Sequence, residues 1–347
     1  MISRHIRAAV WAAVLLPALA GAVPAAAEPG LLERCWPAGA LTAREGEREP
    51  AKGAAGHAQR IPRLAQSATS PPPQPIPGVV RRVAVPAGKK LIALTLDLCE
   101  QPGEIAGYDG AIFDYLRANR IKATVFTGGK WLMTHAERAQ QLIADPLLEL
   151  GNHGWAHRNV RGLAGGDLAQ EIRGPEAAFQ LRRADLAPSQ CGRALPVAIA
   201  ALQPRLGLYR FPFGACNAEA QAVLAANGLV AIQWDVSTGD SSKAESAEAI
   251  ARTLLADVRP GSIILAHANG RGHHTAAALP IAIPKLKAQG YSFVTVSELL
   301  ATGKPVTTDT CYDHRPGDTD RYDALFQRRP QRPESADGRA TPSALPR

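Results

Sequence analysis

The chain has 347 residues, enough for one large domain or two small ones, and a formal net charge of +8. That basic excess sits mostly within residues 44–82 and 328–347, so nucleic acid is not expected as a partner. An anionic cell envelope, or a merely solvated basic surface, suits charge carried in tails better.

In chain order, the first 27 residues read as an export signal. Arg4, His5 and Arg7 form a basic head, 8–20 an apolar run, and Ala25-Ala26-Ala27 a cleavage site before Glu28. The run is too short, and too soon followed by Pro24, for a good spanning helix. Cleavage would remove the charges of Arg4 and Arg7 and leave +6. The expected location is periplasmic or secreted. Residues 28–78 form a Pro/Ala-rich extension and linker ending in Ser70-Pro71-Pro72-Pro73-Gln74-Pro75-Ile76-Pro77, with only 31–36 suited to docking.

Residues 79–302 read as one α/β domain. Strand-like runs lie at 91–96, 123–127, 147–150, 208–211, 230–234, 262–266 and 292–296. Helical stretches lie at 108–119, 134–144, 166–181, 218–226, 244–258 and 275–288, with Asn227-Gly228 and Gln289-Gly290 as stops. Alternating strands and helices predict a parallel sheet with helices outside. Seven units without a Gly-rich phosphate loop favour a barrel over a doubly wound sheet. Residues 303–347 read as a polar, largely disordered tail, in which Tyr312 and 322–326 could pack locally.

Reactive residues follow the strand-like runs. His153 and His157, four apart, suit two neutral imidazoles on one divalent ion, or two satisfied core histidines. Asp97 ends the first run as a general base or a turn cap. Arg210 has the fork to hold a carboxylate, and the turn after it could aim the N–H of Phe213 at an oxyanion. His267 suits a general acid oriented by Asp240, with Asp235 the nearest rival. Trp131, Trp155 and Phe213 offer sugar-stacking faces or core. The five cysteines leave at least one unpaired. Cys99–Cys216 and Cys35–Cys311 are the pairings considered, against Cys99 and Cys216 as buried thiols near the site.

Thr95-Leu96-Asp97, His153-x-x-x-His157, Arg210-Phe211-Pro212-Phe213-Gly214, Asp240 and Leu265-Ala266-His267 occur in a set order. Over about residues 80–302 that order resembles the polysaccharide deacetylase family, with its NodB homology domain and carbohydrate esterase family 4 relatives. The resemblance implies a distorted (β/α)7 barrel, here with irregular N- and C-terminal extensions. It also implies metal-dependent removal of acetyl from N-acetylated sugars. By resemblance Asp97 is the base, Arg210 its holder, His267 the acid and Asp240 its orienter. His153 and His157 are then metal ligands, and Phe213 stands where the family has Tyr. Leu98 stands where the family has a ligating Asp, so either Glu100 is the third ligand of a divalent metal, zinc by expectation, or water and the two histidines suffice. Ser237 and Ser241 replace an Asp and a Trp of the family pattern.

The expected function is an exported deacetylase of an acetylated glycan, peptidoglycan or chitin-like. The alternatives are a metal-independent amidohydrolase or O-acetyl esterase on the same fold, and a non-catalytic glycan-binding protein.

Overall fold

The computed structural model describes residues 30–52, 60–63 and 76–323. The expected leader (1–27), most of the expected linker and the end of the tail lie outside these residues. The core is a curled sheet of parallel strands: β2 (Leu91–Leu98), β3 (Ala123–Thr127), β4 (Leu148–Asn152), β5 (Leu208–Tyr209), β6 (Val230–Ala231), β7 (Val236–Ser237) and β8 (Ile263–His267). β1 (Val79–Ala84) precedes them, and β9 (Ser292–Phe293) adds to β2. The order across the sheet is β6-β5-β4-β3-β2-β8-β7.

One stretch, 230–237, touches both edges. Its start pairs with β5 and its end with β8, which curls the sheet into a distorted barrel. β1 wedges into the seam by bridges from Val80 to Ile232 and from Arg82 to Ser262. A Cβ at Gly261 would meet the Val83 carbonyl oxygen at 1.7 Å, and φ there is +86°, so only glycine admits this wedge.

β2 is buried from Ile92 to Leu98, as expected of a parallel strand covered on both faces. The covering helices include α1 (Gly110–Ala118), α2 (Gly129–Thr134), α3 (Ala136–Ala144), α4 (Gly165–Ala184), α5 (Ala218–Ala226), α6 (Ala247–Asp257) and α7 (Thr275–Ala288). Asn217 and Ser246 cap α5 and α6 by accepting from Ala220 and Ala249 N–H groups. The predicted stops hold, with Gly228 and Gly290 at positive φ just past α5 and α7.

Three sequence expectations need correction. The helix expected over 134–144 is broken at His135, which ends α2 and precedes α3. The described part of the tail is packed: Lys304–Thr308 pairs antiparallel with β1. Arg161 holds the Thr319 carbonyl at 2.7 Å, and Asn159 donates to Asp323. The disulfides are Cys35–Cys191 and Cys216–Cys311, leaving Cys99 free and buried. The first pins the N-terminal helix Leu31–Cys35 to the helix Gln190–Ala194. The second pins the tail beside the Phe213 turn. Neither expected pairing forms, because the barrel sets Cys99 under the Asn269 amide instead.

Candidate active site

Asp97 and His267 are direct register partners on β2 and β8, so strand pairing alone sets the two side by side. Asp97 is 3% exposed. Arg210 Nη1 donates to its Oδ1 at 2.8 Å, and His153 Nε2 lies 3.2 Å from its Oδ2. Burial opposes ionisation, but the charges of His153 and Arg210 outweigh it and hold the carboxyl well below the usual range. Asp97 is therefore a carboxylate with a fixed orientation. Arg210, fully buried just past β5, also donates to the Ile232 and Gln233 carbonyls and stacks 4.1 Å over the Phe126 ring. Burial lowers its own pKa against the pull of Asp97.

His267 Nδ1 contacts Asp240 Oδ1 at 2.8 Å, which assigns the ring proton to Nδ1 and leaves Nε2 for chemistry. The other Asp240 oxygen accepts from His267 N and Thr275 Oγ1, at 2.7 and 2.5 Å. Burial works against the imidazolium, but Asp240, and Asp97 beyond it, raise the His267 pKa above its ordinary value. Asp235, the rival orienter, is spent on Arg259, Ser262 and Ile263.

The two histidines converge because the loop after β4 folds back on α4. Asn152 donates to the Ile172 carbonyl and accepts from Gly154 N–H. Glu171 Oε1 accepts from Ala156 and Arg158 N–H at 3.0 and 2.9 Å. Gly154 has φ +78°, and a Cβ there would meet Glu171 Oε1 at 2.6 Å. Glu171 was missed in the sequence; its only signal is one acid on the buried stripe Leu168-x-x-Glu171-Ile172. Burial pushes its pKa up to about 6. We expect Glu171→Ala to strand both amides, at roughly 1–3 kcal/mol each, and to weaken metal binding. Glu171→Gln keeps an acceptor oxygen and should cost far less. Thermal unfolding and zinc titration check this; equal losses in both variants would remove the latch from the account.

His153 Nδ1 sits 2.9 Å from the Arg210 carbonyl and donates to it, which leaves Nε2 facing the site. Burial first, then His153, push the His157 pKa well below its ordinary value, so that ring is neutral. Its Nδ1 is buried without a hydrogen-bond partner. A neutral His157 ring with an orphaned nitrogen, beside Nε2 of His153, fits a divalent metal. The expected third ligand, Glu100, is turned away: its carboxylate is spent on Ala106 N–H and Thr134 Oγ1, at 3.2 and 3.1 Å. The group gathered with the histidines is Cys99, whose sulfur and one nitrogen of each ring lie within 4.8 Å of one another. Burial, and then the Asp97 charge, raise the Cys99 pKa, so without a cation the thiol keeps its proton.

Asp97, His153, His157, Asp240 and His267 open on one cleft, also lined by Phe213, Trp234 and Tyr322. Phe213 lies in the turn Pro212–Gly214 at φ +60°, and its ring packs 4.3 Å from His157 and 5.2 Å from Tyr322. Among the described residues the non-glycine positive φ values fall at Arg120, His157 and Phe213, so two of the three strained backbones belong to this site. Of the aromatics offered for sugar, Trp131 is core, fully buried and bonded to the Gly107 carbonyl. Trp155 packs on the core and does not line the cleft. Trp234 and Tyr322 were missed; Tyr322 reaches the cleft only because the tail folds back.

The polysaccharide deacetylase family model matches residues 84–232. Asp240 and His267 lie beyond that stretch. The peptidoglycan-N-acetylglucosamine deacetylase PgdA of Listeria monocytogenes is 29% identical over 240 residues, covering 68% of this chain and 45% of that protein. The chain thus spans less than half the length of that relative. A chitooligosaccharide deacetylase of a Bradyrhizobium strain is 25% identical over 238 residues, 65% of this chain and 97% of its own. A CE4 family pseudoenzyme from Bacillus anthracis shares the fold, with a TM-score of 0.51 at 24% identity over 67% of this chain and 71% of that one.

Proposed function

From the premise that the chain carries a polysaccharide deacetylase domain at residues 84–232, we propose that it hydrolyses the acetamide of N-acetylated sugars in peptidoglycan or a chitin-like glycan, outside the cytoplasm. The observation that carries this reading is the pairing of Asp97 with His267 at one cleft, each held by a partner with the opposite chemical bias. Arg210 keeps Asp97 ionised, so it can take a proton from the attacking water. Asp240 keeps His267 protonated, so it can give one to the departing amine. The Phe213 N–H is the candidate donor to the oxyanion. A divalent metal at His153 and His157 would polarise the carbonyl and lower the pKa of water. Trp234, Phe213 and Tyr322 supply apolar faces to the sugar. Export is supported by the signal-like pattern of residues 1–27 and by the two disulfides. No helix among the described residues is long and apolar enough to cross a membrane.

Acetate release from peptidoglycan and from N-acetylglucosamine oligomers tests the proposal, before and after chelation and with zinc restored. Release that follows zinc supports the metal deacetylase. Release indifferent to effective chelation supports the metal-independent hydrolase. A folded protein that binds these glycans and releases no acetate overturns the enzymatic reading.

The pH profile has a definite sign. His267 acts protonated, so kcat/KM should fall as pH rises through its raised pKa, placing the basic limb above the ordinary histidine value. Asp97 stays ionised far into acid and should contribute no limb between pH 5 and 7. Asp240→Asn removes the charge that favours the imidazolium, so the basic limb should move to lower pH. A limb that stays in place in that variant would detach it from His267.

A further inference from the structure

We propose that Cys99, as a thiolate, is the third protein ligand of the metal, making a Cys/His/His centre that selects zinc or cobalt over magnesium and manganese. This rests on the reading above that His153 and His157 hold a metal. Strand alternation is the starting point. Asp97 faces the cleft, Leu98 points to the opposite side and is fully buried in the core, and Cys99, just past the strand end, returns to the side of the two histidines. The carboxylate missing at Leu98 is thus replaced one residue on.

Three observations converge on the sulfur. It lies within 4.8 Å of a donor nitrogen on each of His153 and His157. Ligands bonded at ~2.0–2.3 Å to one ion stand ~3.5 Å apart in a tetrahedron, so binding would draw these atoms together by up to about 1.3 Å. Next, Asn269 Nδ2 donates to the Cys99 carbonyl at 2.9 Å and to its Sγ at 3.3 Å. An amide N–H aimed at sulfur orients it and favours the anion a metal requires. Last, the other four cysteines are paired in disulfides, and Cys99, 2% exposed, is left out. On binding, the thiol proton leaves to solvent and sulfur gives its lone pair to the ion. Thiolate with two imidazoles is a soft donor set, suited to zinc and unsuited to hard, oxygen-seeking cations.

The test is spectroscopic and needs no turnover. The metal-stripped full chain is titrated with cobalt(II), then with zinc as competitor, alongside Cys99→Ser and Cys99→Asp variants checked for native circular dichroism. We expect a near-ultraviolet thiolate-to-cobalt charge-transfer band in the native chain, at one ion per chain. Both variants should lose that band. Zinc affinity should fall by roughly 100-fold or more in Cys99→Ser, and much less in Cys99→Asp, which restores a charged ligand. Cobalt binding without the band overturns the proposal, and so does the absence of metal binding. Acetate release measured on the same samples then shows whether the deacetylase reading survives, because a metal held without sulfur, or no metal at all, is compatible with turnover.

Discussion

Asp97→Asn should abolish acetate release while leaving the protein folded. Asn keeps the shape of the side chain and an oxygen for Arg210, but it cannot take a proton. General-base loss costs on the order of 10²–10⁴-fold in rate. His267→Ala should cost a similar factor from the acid side. Because the two are register partners serving one proton circuit, their double variant should lose far less than the product of the single losses. The readouts are kcat on N-acetylglucosamine oligomers and glycan affinity measured separately. Affinity that stays near native while kcat collapses places both groups in chemistry. Asp97→Asn with more than a tenth of native turnover would sink the assignment.

Much of this site was legible because parallel sheets write their chemistry at strand ends. Thr95-Leu96-Asp97 and Leu265-Ala266-His267 each close an apolar run, and register then brings the two strand ends together. The same logic exposed Arg210 and the two histidines. What the sequence hid depends on chain reversal and on which side of a strand end a residue takes. Glu100 and Cys99 are neighbours, and both carry ligating atoms. Only the turn of the backbone after Leu98 decides that the carboxylate caps Ala106 N–H while the thiol faces His153. The tail misled for a related reason. Its composition is polar and rich in Arg and Asp, yet it is anchored by specific bonds: Cys216–Cys311, the Tyr312 and Asp313 carbonyls on Arg81, and Asp313 on Trp234 Nε1. Composition reports how much apolar surface a segment can bury. It does not report a disulfide or a buried arginine waiting for carbonyls.

Arg210→Met should be the most destabilising single change in the barrel mouth. The guanidinium is fully buried, and its loss leaves the Asp97 carboxylate in the interior without its permanently charged partner. Breaking a buried ion pair in this way costs about 3–5 kcal/mol. For a domain of this size that lowers Tm by roughly 10 °C. The pH dependence separates this cause from lost packing. A carboxyl whose folded pKa is depressed contributes stability above its unfolded pKa, ~3.9, and loses it as pH falls towards the folded value. Without Arg210 the folded pKa of Asp97 rises, the group protonates sooner, and the gap between variant and native chain narrows as the solution is made acid. A cavity would cost the same at every pH. Asp97→Asn added to Arg210→Met removes the stranded charge and should recover much of the lost Tm, so the pair is non-additive. Additive losses in that double variant would mean that Arg210 acts by filling space between Phe126 and Trp234, and not by holding the base.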